Sequence, residues 1–186
     1  MDFQLYIGAI FDTRMSETEV QEGFGFMHYE RIFETIYEFE NGFVKRHIAV
    51  DAAAVDYAII ETIAMEKALE GNRVEILPVI NQNELQLREA ILKGAKDKKN
   101  PDLRINGLYV ELKEPLLPYG KNSIGNIINL AADQANHVIV NIKDWTISEF
   151  QLYRIANGKL KQLKNLHSIE FRHRDKYLIF TKNTGS

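Results

Sequence analysis

The chain reads as an α/β protein built on a mixed β-sheet, with a β-rich stretch over residues 1–50 ahead of an α/β domain at 51–186. Three features predict this. Residues 101–115, PDLRINGLYVELKEP, alternate apolar and polar side chains around Asn106-Gly107, the dipeptide best suited to the two positive-φ positions of a type I′ hairpin turn. Residues 52–70, AAAVDYAIIETIAMEKALE, are Ala-rich and free of Gly and Pro, which favours a helix. HVIVNI at 137–142 is the mostly apolar run of a parallel strand buried on both faces.

Taken in order, QLYIGAIF near the N-terminus is a strand candidate, and Ser16 can cap a helical turn over SETEV. GFGF at 23–26 fits a turn between strands rather than a nucleotide loop. FETIYEFENGFVKRHIAV alternates around a second Asn-Gly turn at Asn41-Gly42 and predicts a hairpin. The 52–70 helix stops at Gly71, a C′ glycine. Its stripe Tyr57, Glu61, Ala64, Ala68 sets one acid among small apolar residues, so Glu61 either borders the core and reaches solvent or meets a partner. Glu66 lies instead among charges, with Lys67 and Glu70 nearby. RVEILPV predicts a buried strand, QNELQLREAILKGA a second helix or partial helix, and 101–115 the central hairpin. Ser123 can cap a helix with Ile124, Ile127, Ile128, Ala131 and Ala135 at helical spacing, in which Gln134 shares a face with Ile127, Leu130 and Ala131. SEFQLYRIANGKL is helical, and HSIEFRHRDKYLIFTK folds back across Arg174-Asp175-Lys176.

The central hairpin carries the chemistry. Its turn makes Ile105 face Leu108, Arg104 face Tyr109, Leu103 face Val110 and Asp102 face Glu111. One side is apolar; the other presents Asp102, Arg104, Tyr109, Glu111 and Lys113. Facing carboxylates repel each other. A hard divalent cation between them removes the repulsion, and Lys113, about 7 Å along the strand, would then hold a water or a phosphate beside it. Phosphodiester hydrolysis needs such parts. A half-solvated hairpin whose Arg104 and Lys113 neutralise the two acids has the same pattern, and the residues alone leave both readings open.

Net charge of −3 gives no global basic field. LKGAKDKKN places Lys93, Lys96, Lys98 and Lys99 just before the hairpin, either as a solvated loop or as a phosphate-contacting one. The absence of cysteine excludes a disulfide framework and a thiolate zinc site, and no run reads as transmembrane or as a secretory signal, which fits the cytoplasm. The five histidines show neither HxH nor HExxH spacing.

The element order from residue 52, with Pro101-Asp102 followed by Glu111-Leu112-Lys113, resembles the PD-(D/E)XK nuclease superfamily and its αβββαβ restriction-endonuclease-like core. Over residues 70–182, NPDLRINGLYVELK, the helix ending DQANHVIVNI and the LHSIEFRHRDKYLIF hairpin resemble the C-terminal tRNase domain of bacterial contact-dependent growth-inhibition toxins. The resemblance implies a Mg²⁺- or Mn²⁺-dependent endonuclease acting on RNA, tRNA above all, with an immunity protein as partner and no membrane. It makes Asp102 and Glu111 metal ligands, with the Leu112 carbonyl as a third. Lys113 becomes the catalytic lysine, Glu61 the helix acid, and Gln134 the polar residue of the helix after the Glu-x-Lys strand. Arg104 and Tyr109 would line the floor, and Lys96, Lys98 and Lys99 would grip the backbone. Residues 1–50 match no family pattern. Two rivals stand beside this: a metal-independent ribonuclease using His167 or His173 with lysines, and an inactive nuclease-like binding module.

Overall fold

The computed structural model describes residues 33–119, 122–174 and 176–182. The first strand candidate, the turn at Ser16, the GFGF turn and His28 lie outside them. Twelve elements follow one another: β1 (Phe33–Glu38), β2 (Phe43–His47), α1 (Tyr57–Leu69), β3 (Arg73–Ile76), α2 (Leu85–Ile91), β4 (Leu103–Ile105), β5 (Leu108–Lys113), α3 (Ser123–Gln134), β6 (His137–Asn141), α4 (Glu149–Gln162), β7 (Ser168–His173) and β8 (Lys176–Thr181). The strands form one eight-stranded mixed sheet in the order of the chain.

Strand direction follows from connection length. Hairpins join β1 to β2, β4 to β5 and β7 to β8, and all three pairs are antiparallel. Helical crossovers α1, α3 and α4 join parallel pairs β2–β3, β5–β6 and β6–β7, as a crossover must. The excursion through α2 brings the chain back antiparallel, as β4 beside β3. Strands β2, β3, β5, β6 and β7 therefore run one way, with their carboxyl ends along one rim. The described part of residues 1–50 supplies the β1–β2 hairpin to this same sheet.

Among the described residues α1 is the helix on one face: Tyr57, Ile63, Ala64 and Ala68 cover Val44, Val74, Ile76, Leu103, Val110 and Leu112. α3 and α4 cover Val138, Val140, Ile169 and Phe171 on the other. α2 packs there too, where Ile91 and Leu92 meet Leu77 and Tyr109.

Local chemistry sets the boundaries. α1 starts at Tyr57, five residues later than the Ala-rich run predicts, because residues 52–56 form turns. It ends where Gly71 takes φ +89° and Asn72 N–H reaches back to the Lys67 carbonyl at 3.1 Å. Gly42 is required by proximity: a Cβ there would lie 2.2 Å from the Ala68 carbonyl oxygen. Asn122, not Ser123, occupies the N-cap position of α3, without a side-chain capping bond, and Ser123 is the first helical residue. α4 carries a capping box in which Ser148 and Gln151 bond each other's backbone.

Candidate active site

The hairpin register observed is the one its turn dictates, with Leu103 opposite Val110, Arg104 opposite Tyr109 and Ile105 opposite Leu108. Pairs alternate between hydrogen-bonded and non-bonded, so the next step outward sets Asp102 opposite Glu111 at a close, non-bonded position. One further step sets Pro101 opposite Leu112, a bonded position where proline has no N–H to offer. The Leu112 amide donates instead to Asp102 Oδ2 at 2.8 Å. The Leu112 carbonyl, on the same side of the strand, meets no donor from Pro101. The sequence Pro-Asp thus withholds a strand donor from a backbone oxygen beside two carboxylates.

All three predicted chemical groups meet. Lys113 Nζ lies 2.5 Å from Glu111 Oε1, with the Lys113 side chain 37% exposed and Glu111 only 3%. Glu111 Oε2 is buried without a hydrogen-bond partner. Burial, reinforced by the Asp102 charge, raises the Glu111 carboxyl to about 7. Burial also raises Asp102, to about 6, against the opposing pull of the Leu112 amide and of Lys113. Burial alone would lower the Lys113 ammonium, but its bond to Glu111 and the nearby acids outweigh that and hold it above its ordinary value.

α1 adds an acid that the sequence reading did not single out. Its N-cap, Asp56, makes no side-chain capping bond, and its charge acts on Asp102 and Lys113. Glu61, further along the helix, accepts a hydrogen bond from Tyr37 of β1 at 3.3 Å. The later start of α1 explains the exchange: it puts Asp56, not Glu61, at the rim where β5 ends. An aspartate at a helix start is the available signal, hidden because the Ala-rich run predicts residue 56 to lie inside the helix.

The remaining predicted contacts separate. Arg104 is ion-paired with Glu75 and donates to the Ile91 carbonyl at 3.2 Å, while Tyr109 Oη donates to the Lys93 carbonyl at 3.0 Å. Both tie α2 and its following loop to the sheet. Lys96 donates to the Ala132 and Ala135 carbonyls at the end of α3, and burial lowers its ammonium. Lys99 pairs with Asp133. These two lysines bind protein rather than facing outward as a phosphate grip, whereas Lys98 is exposed. Gln134 is the last residue of α3, at the end where β6 begins beside Val110, away from the end of β5 that carries Lys113.

Two carboxylates, a backbone carbonyl and an ammonium compose the centre. Among the described residues no group of three or more His, Asp or Glu side chains gathers to hold a metal. The set nevertheless suits Mg²⁺, which keeps several waters and takes only one or two protein carboxylates. The orphaned Glu111 Oε2 is the atom such an ion would satisfy.

Residues 98–183 match the family model described as the contact-dependent growth inhibition CdiA C-terminal domain. The matched segment begins later than the likeness read over 70–182, and it contains Asp102, Glu111, Leu112 and Lys113 while leaving out Asp56 and Glu61. Neither a curated protein nor a solved structure matches the chain. Among the described residues no helix is long and apolar enough to cross a membrane.

Proposed function

We propose that this chain, whose residues 98–183 match the toxin domain of contact-dependent growth-inhibition proteins, is a divalent-metal-dependent endonuclease that cleaves RNA, with tRNA the preferred substrate class. It acts in the cytoplasm of the cell it intoxicates and is neutralised by an immunity protein. The reading extends to the PD-(D/E)XK superfamily, since the run α1, β3, β4, β5, α3, β6, interrupted by α2, follows that helix-strand order. One observation carries it: a buried carboxylate oxygen with no hydrogen-bond partner, opposite a second carboxylate and beside an ammonium.

Asp102, Glu111 and the Leu112 carbonyl would hold the Mg²⁺ or Mn²⁺, which would supply a Lewis acid and acidify a water that could act as nucleophile. Lys113 keeps its positive charge because its acidic neighbours stabilise it. Partly exposed, it reaches a phosphate oxygen or the attacking water and offsets charge that develops in the transition state. Asp56 sets the local field from the α1 side. Leu112 N–H orients Asp102 and thereby fixes which oxygen faces Glu111.

One observation favours the metal-independent rival. His137 and His167 lie with ring centroids 5.5 Å apart, and burial followed by His167 lowers the His137 imidazole. His173 is committed to the Ile142 carbonyl at 2.6 Å. Incubating the protein with tRNA, single-stranded RNA and duplex DNA, with Mg²⁺ or with EDTA, separates the readings. The proposal expects RNA cleavage that EDTA and Glu111→Gln abolish while His167→Ala leaves it in place. Cleavage that survives EDTA and E111Q but not H167A would establish the rival.

A further inference from the structure

The end of the sheet opposite the carboxylate pair holds a second feature on the same face. β2 and β3 begin there at Phe43 and Arg73, and the Asn106-Gly107 turn closes beside them. Together with Glu75 and Arg104 they line a cavity of about 600 Å³. That volume lies in the range of small-molecule sites. Parallel pairing of Phe43 with Arg73 and of Lys45 with Glu75 points all four side chains to the α2–α4 face. Asp102, Glu111 and Lys113 project to that face as well. Asp102 and the turn are four residues apart along the strand, about 13 Å.

The lining is chemically mixed in a specific way. The Phe43 ring is half-buried, with Lys45 Nζ 5.2 Å from its centroid. Arg73 is exposed. Arg104 and Glu75 form an ion pair across the floor. Gly107, at φ +85°, has open space where a side chain would stand, so the turn leaves the mouth unobstructed. An aromatic face flanked by cations that are not buried in the core is the combination that engages single-stranded nucleic acid, in which bases stack and phosphates are neutralised.

We propose that this cavity is a nucleotide subsite for single-stranded RNA: a base stacks on Phe43, displacing Lys45 from the ring, and Lys45 with Arg73 takes the adjoining phosphates. The choice of ligand rests on the phosphodiesterase reading, but the subsite binds without turnover. The subsite lies on the same face as the carboxylate pair, with α2 and its loop, held by Arg104 and Tyr109, between them, so it anchors substrate outside the centre. Lysines 96 and 99, committed to α3, leave this grip to β2 and β3.

The test measures anisotropy of a fluorescein-labelled single-stranded RNA 12-mer in EDTA, so that cleavage plays no part. Phe43→Ala and Arg73→Glu should each weaken binding about tenfold, the loss expected for one stacked base, while Thr62→Ala, at an exposed position of α1 across the sheet, binds as the unmodified chain does. Arg73→Gln should reduce the slope of log K against log salt by about 0.7, one single-strand phosphate. Phe43→Trp guards against misfolding: its emission should be quenched by the RNA, with Trp145 as the only other indole. Equal affinity across all variants, or no quenching of the Phe43→Trp protein, would overturn the subsite. Failure of the nuclease reading alone would appear differently, as RNA bound at Phe43 and Arg73 but never cut with Mg²⁺.

Discussion

Burial raises Asp102 to about 6 and, together with the Asp102 charge, Glu111 to about 7, and this has a direct cost in the metal-free protein. Both folded values lie above those of the unfolded chain. The folded state therefore holds more protons between about pH 4 and 7, and stability falls as pH rises through that window. The melting temperature of the chelated protein should accordingly decline from pH 5 to pH 8, and excess Mn²⁺ at pH 8 should restore it; a flat profile with and without metal would count against the pair. Asp102→Asn removes one of the two charges while leaving an oxygen for the Leu112 amide. At pH 8 without metal it should raise the melting temperature, by about 2–4 °C if the relief is about 1 kcal/mol. RNA cleavage should drop by at least ~100-fold, since even a supporting partner of a metal ligand can cost that much. Stability and activity then move in opposite directions, as they do where a site is held under strain.

At the scale of elements, the hairpin was readable because two independent rules agreed: the Asn-Gly turn set the register, and alternation set the faces. The lysine run at 93–99 was not readable, because a row of charges carries no information about its partner. Lys96 turned out to close the carboxyl end of α3. Lys96→Met should therefore lower the melting temperature, by an amount corresponding to about 1–3 kcal/mol for a charged hydrogen bond lost. The slope of RNA affinity with salt should not change. A lost salt slope with unchanged stability would return Lys96 to a phosphate role. The start of α1 was missed for a similar reason. Alanine has high helix propensity wherever it stands, so the Ala-rich run could not mark where residues 52–56 turn, and with that boundary the identity of the acid facing Asp102 was lost. The contribution of Pro101, a missing donor rather than a contact, becomes visible only once Leu112 is placed opposite it.

At the scale of the whole molecule, a largely buried ionic cluster joins α1 to β7. Lys67 of α1 pairs with Glu170 of β7 at 2.8 Å and with Glu70 at 3.0 Å. Arg172, 3% exposed, reaches Glu66 at 3.4 Å, Glu170 at 3.3 Å and also Glu70. These residues lie on the α1 face, and they fasten the helix that carries Asp56 to the matched C-terminal segment. Removing one partner from a buried pair leaves a charge uncompensated, so Arg172→Ala should cost about 3–5 kcal/mol in denaturant unfolding. A loss under 1 kcal/mol would mean that the cluster is solvated and does not hold α1.

On the function proposed above, Asp102 and Glu111 share a divalent cation. Calorimetric titration of the metal-free protein with Mn²⁺ at pH 6 and at pH 8 examines it without substrate. One site per chain is expected, tighter at pH 8 where bound protons no longer compete, and abolished by Glu111→Gln. Heat that is absent at both pH values, or identical in the Glu111→Gln protein, would contradict it.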